Sequence, residues 1–337
     1  MDGRIHPYTN LNMPGNLQLQ LFQQLKDQLP AHEKLVHVVM DHLKLTRSQA
    51  YRRINGTVPV SLNELKILAE TFDISIDDLL QAPANGQIKF SASLRMNSTY
   101  LGFLQQLMQT ISYVGQLPEV QVQYATNEFP IFYTFMFPDL VKFKLYMWNR
   151  TFWKNNNAQI QFSLGIANPE ELELANQIQE KYLSIATTEY WHIRLVDNTF
   201  SQISYALESG FFEDPTEADQ LLAQMLDGLQ HLKSMAEHGN KRFLKDSETA
   251  VRSEFQLYLS DLPTNVHFLV SQPDSKQLFS TFDNPNFMHT RNQAICNYAA
   301  DWFENLQNKS VLISQSGHKA RNQFFHRMEK ELKELRT

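Results

Sequence analysis

Residues 35–80 read LVHVVMDHLKLTRSQAYRRINGTVPVSLNELKILAETFDISIDDLL, and this stretch decides the fold of the amino-terminal part. Leu35, Val38, Val39 and Leu43 recur at helical spacing, which predicts a helix with one apolar face. Leu45 follows, then Thr46, whose hydroxyl is placed to cap a second helix from about Arg47 to Ile54. Asn55-Gly56 stops that helix, because these residues most readily adopt positive φ. A connection of three or four residues forces the two helices to cross steeply, as in a helix-turn-helix. Ser61 with Glu64 three residues on makes a capping box for a third helix. That helix is expected to turn Leu62, Leu65, Leu68, Ala69 and Phe72 inward. Ser75 opens a last turn, and Ile76, Leu79 and Leu80 close the bundle.

Charge is segregated within this stretch. Ala50 and Ile54 face inward, four apart, and the small Ala50 lets the second helix pack closely. Between His42 and Gly56 stand Lys44, Arg47, Arg52 and Arg53 with no acid among them; the acids Asp73, Asp77 and Asp78 sit elsewhere. Cations neutralise phosphates, while Arg and Gln pair with purine edges in the major groove. The candidate DNA contacts are therefore Lys44, Thr46, Arg47, Ser48, Gln49, Tyr51, Arg52 and Arg53.

The same elements carry a family likeness. Leu45-Thr46-Arg47-Ser48-Gln49-Ala50-Tyr51-Arg52-Arg53-Ile54-Asn55-Gly56, Val60-Ser61-Leu62-Asn63-Glu64-Leu65, Leu68-Ala69-Glu70 and Ile74-Ser75-Ile76-Asp77-Asp78-Leu79-Leu80 resemble the DNA-binding domain of phage-repressor-type (XRE-like) helix-turn-helix regulators. With a preceding helix around Gln18–Gln28, the resemblance is confined to about residues 17–81. It implies that Arg47, Ser48 and Arg52 face base edges, and that Thr46 and the loop after Gly56 meet the DNA backbone. Lys44 departs from the pattern, since relatives often carry Gly in that tight turn.

The rest of the chain sets limits. Its 337 residues and 39.2 kDa suggest two or three domains, each able to bury a core. A net charge of −6 means that nucleic-acid binding must come from a local patch. Gly and Pro are sparse, and neither GxGxxG nor GxxxxGK[ST] occurs, which argues against a phosphate-loop enzyme. No Ser–His–Asp order, paired-carboxylate motif or HExxH is present either, so no enzyme and no cofactor are expected. The single Cys296 excludes an intramolecular disulfide and a multi-Cys metal site. One thiol and no signal-like start point to the cytoplasm. The longest apolar stretch, Phe129–Trp148, is broken by Asp139, Lys142, Lys144, Pro130 and Pro138, so no membrane span is expected. It reads as two aromatic strands, Ile131–Phe137 and Val141–Trp148, hinged at Pro138-Asp139.

The expected architecture is multidomain, an all-α helix-turn-helix domain followed by a larger α+β region. Residues 1–16 form a disordered leader, 17–81 the DNA-binding domain and 82–87 the linker; 88–337 follow, with a break near 245. Strands are also expected at Val120–Ala125, Gln159–Leu164, Phe255–Leu259, Val266–Ser271, Leu278–Phe282 and Ser310–Ser314. Residues 167–240 read as long helices; one starts at Asp214-Pro215, carries Leu222, Met225, Leu229, Leu232 and Ala236, and stops at Gly239. Further helices are expected at Asn292–Asn305 and His318–Leu335, the second with a stripe of Phe324, Phe325, Met328, Leu332 and Leu335. The two stripes read as core or as dimer contacts. His289, Cys296 and Asp301 are not spaced as metal ligands, and Tyr190-Trp191-His192 reads as packed. Ser314, Ser316, Gly317, Lys319 and Arg321 could hold an anion at a helix start, although an ordinary Ser-capped helix explains them too.

These expectations describe a cytoplasmic, sequence-specific DNA-binding transcription regulator. Its partners would be double-stranded DNA, a second copy in a homodimer, and a small-molecule or protein effector sensed by 88–337. The alternative is a protein-interaction or assembly factor whose helix-turn-helix no longer meets DNA; salt-dependent DNA retention separates the two.

Overall fold

The computed structural model describes residues 17–29, 33–72, 74, 76–79, 90–92, 99–151, 161–166, 169–246, 251–263, 265–283 and 286–334. The expected leader 1–16, the linker 82–87, Ser75, Leu80, residues 159 and 160, and Leu335 lie outside them. The chain divides into two compact units, residues 1–88 and 89–337.

The first unit is helical: α1 (Leu17–Gln28), α2 (Leu35–Leu43), α3 (Arg47–Ile54), α4 (Leu62–Thr71) and α5 (Ile76–Leu79). Leu21, Phe22, Leu25, Val36, Val39, Ala50, Leu68, Ile74 and Leu79 make its core. In α2 Val36 is buried where Val38 was expected, and Val38 is half-buried. Leu62 corrects the expected face of α4, being 84% exposed. It is the first helical residue, and helical side chains lean toward the N-terminus, so it overhangs the helix start. Ile76 is likewise exposed rather than closing the bundle.

Among the described residues the second unit is built on a nine-stranded mixed sheet. Its strands are β1 (Ser91–Ala92), β2 (Gln121–Thr126), β3 (Thr187–His192), β4 (Asn240–Lys241), β5 (Ser253–Ser260), β6 (His267–Gln272), β7 (Ser275–Asp283), β8 (Asn286–Thr290) and β9 (Val311–Leu312). The order is β1-β8-β7-β6-β2-β3-β5-β4, with β9 also paired to β5. The centre, β2-β3-β5, is parallel, and β6, β7, β8 and β1 continue as antiparallel neighbours. Parallel neighbours need crossovers, which are helical here. Between β2 and β3 run α7 (Ile131–Thr134), α8 (Pro138–Thr151) and α9 (Pro169–Leu183); between β3 and β4 run α10 (Asp197–Glu208) and α11 (Glu217–His238). These helices, with α6 (Tyr100–Gln116) and α13 (His318–Glu334), pack on one sheet face, which Val122, Trp191, Phe255 and Leu257 line. α12 (Gln293–Asn308) covers the other face over Ala125, Tyr190, Leu269 and Leu278.

Four expectations need correction. The two aromatic strands are helices α7 and α8, in which Pro138 takes the first helical position and Asp139 the first turn. Val141 and every residue from Phe143 to Trp148, Lys144 included, are buried, so burial runs right round the helix and no apolar stripe marks its period. The long-helix stretch hides β3, a central strand whose Glu189 points into the core. Phe162, in the strand expected over 159–164, makes a single bridge to Phe212. Finally, strands from both sides of residue 245 alternate in one sheet, so no break falls there.

The apolar stripes are interior. Leu222, Met225, Leu229, Leu232 and Ala236 of α11 share a core with Phe324, Phe325, Met328 and Leu332 of α13. They are not dimer surfaces. Among the described residues no helix is long and apolar enough to cross a membrane.

Candidate nucleic-acid interface

The turn between α2 and α3 depends on Lys44. Its backbone is left-handed, at φ 55° and ψ 42°, and its N–H bonds to Met40 O. Glycine adopts this conformation without strain, whereas a side chain costs about 1–2 kcal/mol. Thr46 then caps α3: its Oγ1 accepts from the Gln49 N–H, and Gln49 Oε1 accepts from the Thr46 N–H at 2.9 Å. Ala50, fully buried, brings α3 against the core.

This geometry leaves Lys44, Thr46, Arg47, Ser48, Gln49, Tyr51 and Arg52 exposed. Arg47 and Tyr51 are one turn apart, with the guanidinium carbon 5.8 Å from the ring centroid. Ser48 and Arg52 form the adjacent row. Arg53 does not join them, and this corrects the expectation for it. Its side chain is 19% exposed and pairs with Glu64 of α4, Nη2 to Oε1 at 3.2 Å and Nε to both carboxylate oxygens at 3.3 Å. Burial pushes the Glu64 carboxyl up, but the Ser61 backbone N–H and Arg53 outweigh it and hold the group below its ordinary range. Glu64 also completes the expected capping box, accepting from the Ser61 N–H at 2.7 Å.

One positioning residue escaped the sequence reading. Gln18 of α1 donates through Nε2 to Arg53 O (2.6 Å) and Val58 O (2.9 Å), and its Oε1 accepts from the Val60 N–H at 3.0 Å. It clamps the loop after α3, where Gly56 has φ 72°. Nothing in LQLQLFQQLKDQ distinguishes this glutamine from its neighbours.

Residues 19–110 match a BetR domain. The BetR match describes a regulatory domain of helix-turn-helix type, beginning in α1 and ending in α6. It covers the turn, the exposed α3 face and the loop after α3, and begins one residue past Gln18. No curated protein and no solved structure matches the chain.

The expected anion site is not assembled. Ser314 is buried and its Oγ accepts from the Leu257 N–H at 3.1 Å. Arg321 is buried too, donating to Ile313 O at 2.7 Å, bonding His318 Nδ1 at 2.9 Å and lying 3.7 Å from Glu237. Ser316 and Lys319 face solvent. Gly317 permits a close backbone approach: a Cβ there would collide with Leu312 O. Arg321 and Gly317 fasten α13 to the end of β9, and Ser314 ties that end to β5, so the five residues do not converge. Cys296 is buried and bonds Thr290 O, and no cluster suited to a metal occurs among the described residues.

A buried polar cluster in the second unit is one that the sequence did not signal. Fully buried Glu189 accepts from Tyr133 Oη (2.8 Å), Tyr182 Oη, Thr187 Oγ1 (2.9 Å) and Trp191 Nε1 (2.8 Å). Lys241, also fully buried, lies 3.7 Å away and donates to Ile185 O at 3.1 Å and Tyr182 O at 3.4 Å. Burial lowers Lys241 to about 7, against the pull of Glu189. Burial also raises Tyr133 and Tyr182 well above the ordinary tyrosine value, with the Glu189 charge adding to it.

Proposed function

We propose that the chain is a sequence-specific DNA-binding transcription regulator. α3 enters the major groove, where Arg47, Ser48 and Arg52 meet base edges while Lys44 and Thr46 meet phosphates. The observation carrying this reading is the exposed, acid-free face of α3 within a BetR match. The second unit would sense an effector, and the chain would have no catalytic activity of its own. Pairing of two chains rests on affinity alone, since one helix-turn-helix touches few base pairs and a dimer engages two half-sites. The test is retention of genomic DNA fragments at rising salt. Binding should fall steeply between 50 and 200 mM salt, about tenfold or more, because counterions are released. The recovered fragments should share one motif. Retention independent of salt, or none at low salt, would favour the interaction-module reading, to which the exposed Leu62 lends its one observation.

A further inference from the structure

Among the described residues two lysines of the second unit are buried, and only Lys241 has a carboxylate within ion-pair distance. Lys241 has Glu189, two carbonyls and the Tyr182 ring, whose centroid is 3.7 Å from Nζ. Lys144 of α8 is 5% exposed, yet its hydrogen-bond acceptor is a neutral amide, Gln202 Oε1, at 2.7 Å. An ammonium has three donors, and a buried one without a carboxylate in direct contact is costly; Glu128, half-buried, attracts Lys144 without forming an ion pair with it. Burial lowers Lys144 to about 8, with Glu128 opposing.

This ammonium lines a cleft. Tyr124, Phe129, Trp148 and Phe287 supply aromatic walls, and Glu128 lies at the rim beside Ile131. Tyr124 is on β2 and Glu128 lies just past its carboxyl end. β2 is the outermost of the three parallel strands, and its other neighbour, β6, runs antiparallel. The crevice outside the carboxyl ends of parallel strands is where open α/β sheets bind ligands. The cleft as it stands holds about 20 Å³, room for about one water. Its half-buried members are Glu128, Ile131 and Phe287, so these mark the open side.

We propose that this cleft binds a small organic monocarboxylate, its anion on Lys144 and its apolar body between Tyr124, Phe129 and Trp148. Ile131 and Phe287 turn aside to admit it. The carboxylate supplies the direct ion pair that Gln202 cannot and that Glu128 does not make, and the Glu128 charge selects against ligands of higher negative charge, such as phosphate. The proposal deepens the reading of the second unit as a sensor and rests on it only for the consequence at DNA. Binding is therefore measured without DNA, so failure of DNA retention and failure of this site are told apart.

The experiment is calorimetric titration of the full chain with sodium benzoate, sodium butyrate, benzyl alcohol and inorganic phosphate. One carboxylate or both should bind, and benzyl alcohol, with the same ring but no charge, should bind about tenfold more weakly than benzoate or not at all. Lys144→Met should weaken the carboxylate about tenfold or more while near-ultraviolet circular dichroism stays unchanged. Should that variant not fold, Gln202→Leu takes its place: Lys144 then has no protein acceptor and should hold benzoate at least as tightly. Equal binding of benzoate and benzyl alcohol, undiminished binding in Lys144→Met, loss of binding in Gln202→Leu, tighter binding of phosphate, or no binding of either carboxylate would overturn the proposal.

Discussion

Arg52 and Arg53 are adjacent in the sequence and opposite in circumstance. Arg52 is exposed, whereas Arg53 is held by Glu64. Arg52→Ala should cost about 1–3 kcal/mol at the preferred DNA site and far less on random DNA, with thermal unfolding unchanged. Arg53→Ala should instead lower the melting temperature of the first unit, because it strips a half-buried carboxylate of its partner. Competition binding and calorimetry on both variants check this; identical profiles would remove Arg52 from the base-reading set. Lys44 separates charge from backbone. Lys44→Gly should relieve the left-handed strain and stabilise the unit by up to about 1 kcal/mol. The same change should weaken binding to every DNA sequence about equally and reduce the salt slope by about one ion.

At the scale of elements, α3 and the loop after it are held by neighbours rather than by their own turn alone. Gln18 satisfies two carbonyls and one N–H of that segment from a helix more than thirty residues away in sequence. Gln18→Ala leaves those groups to solvent and should cost about 1–2 kcal/mol of stability. DNA affinity should then fall on preferred and random sequences alike, since positioning is lost and base contact is not. Urea unfolding and DNA titration of the variant measure the two effects. The capping residues Thr46 and Ser61, and the stop at Gly239, were all readable from sequence, because caps act within four residues. α8 was not, since a helix buried all round shows no period by which to recognise it.

For the whole molecule, the buried lysines tie stability to pH. Lys241 is lowered to about 7 and Lys144 to about 8, both from 10.5. Between these values and 10.5 the unfolded chain binds protons that the native chain does not, so stability is lost as pH falls through that window. The urea midpoint of the second unit should rise from pH 7 to pH 9, and Lys144→Met should flatten the rise. A midpoint that falls over this range would contradict the assignment. Lys241→Met should destabilise by about 3–5 kcal/mol, since Glu189 would keep its hydrogen bonds and lose its only buried counter-charge among the described residues.

The sequence by itself determined what short-range chemistry settles: four helices and a closing turn in the first unit, the capped α3 and its cation-rich outer face. Most of the strands with alternating or β-branched character were legible too, including β2, β5, β6 and β7. Tertiary structure alone decided which cation is free. Arg52 and Arg53 are equivalent until Glu64, eleven residues beyond Arg53, folds back on the second of them. It also decided that the apolar stripes of α11 and α13 meet each other, because a stripe records that a face is buried and not against what. The same holds for Ser314 and Arg321, whose donors and acceptors are consumed by strand and loop backbone. Nothing in the sequence marks Glu189, Lys241 or Lys144 as buried; the packing of the folded chain takes them out of water.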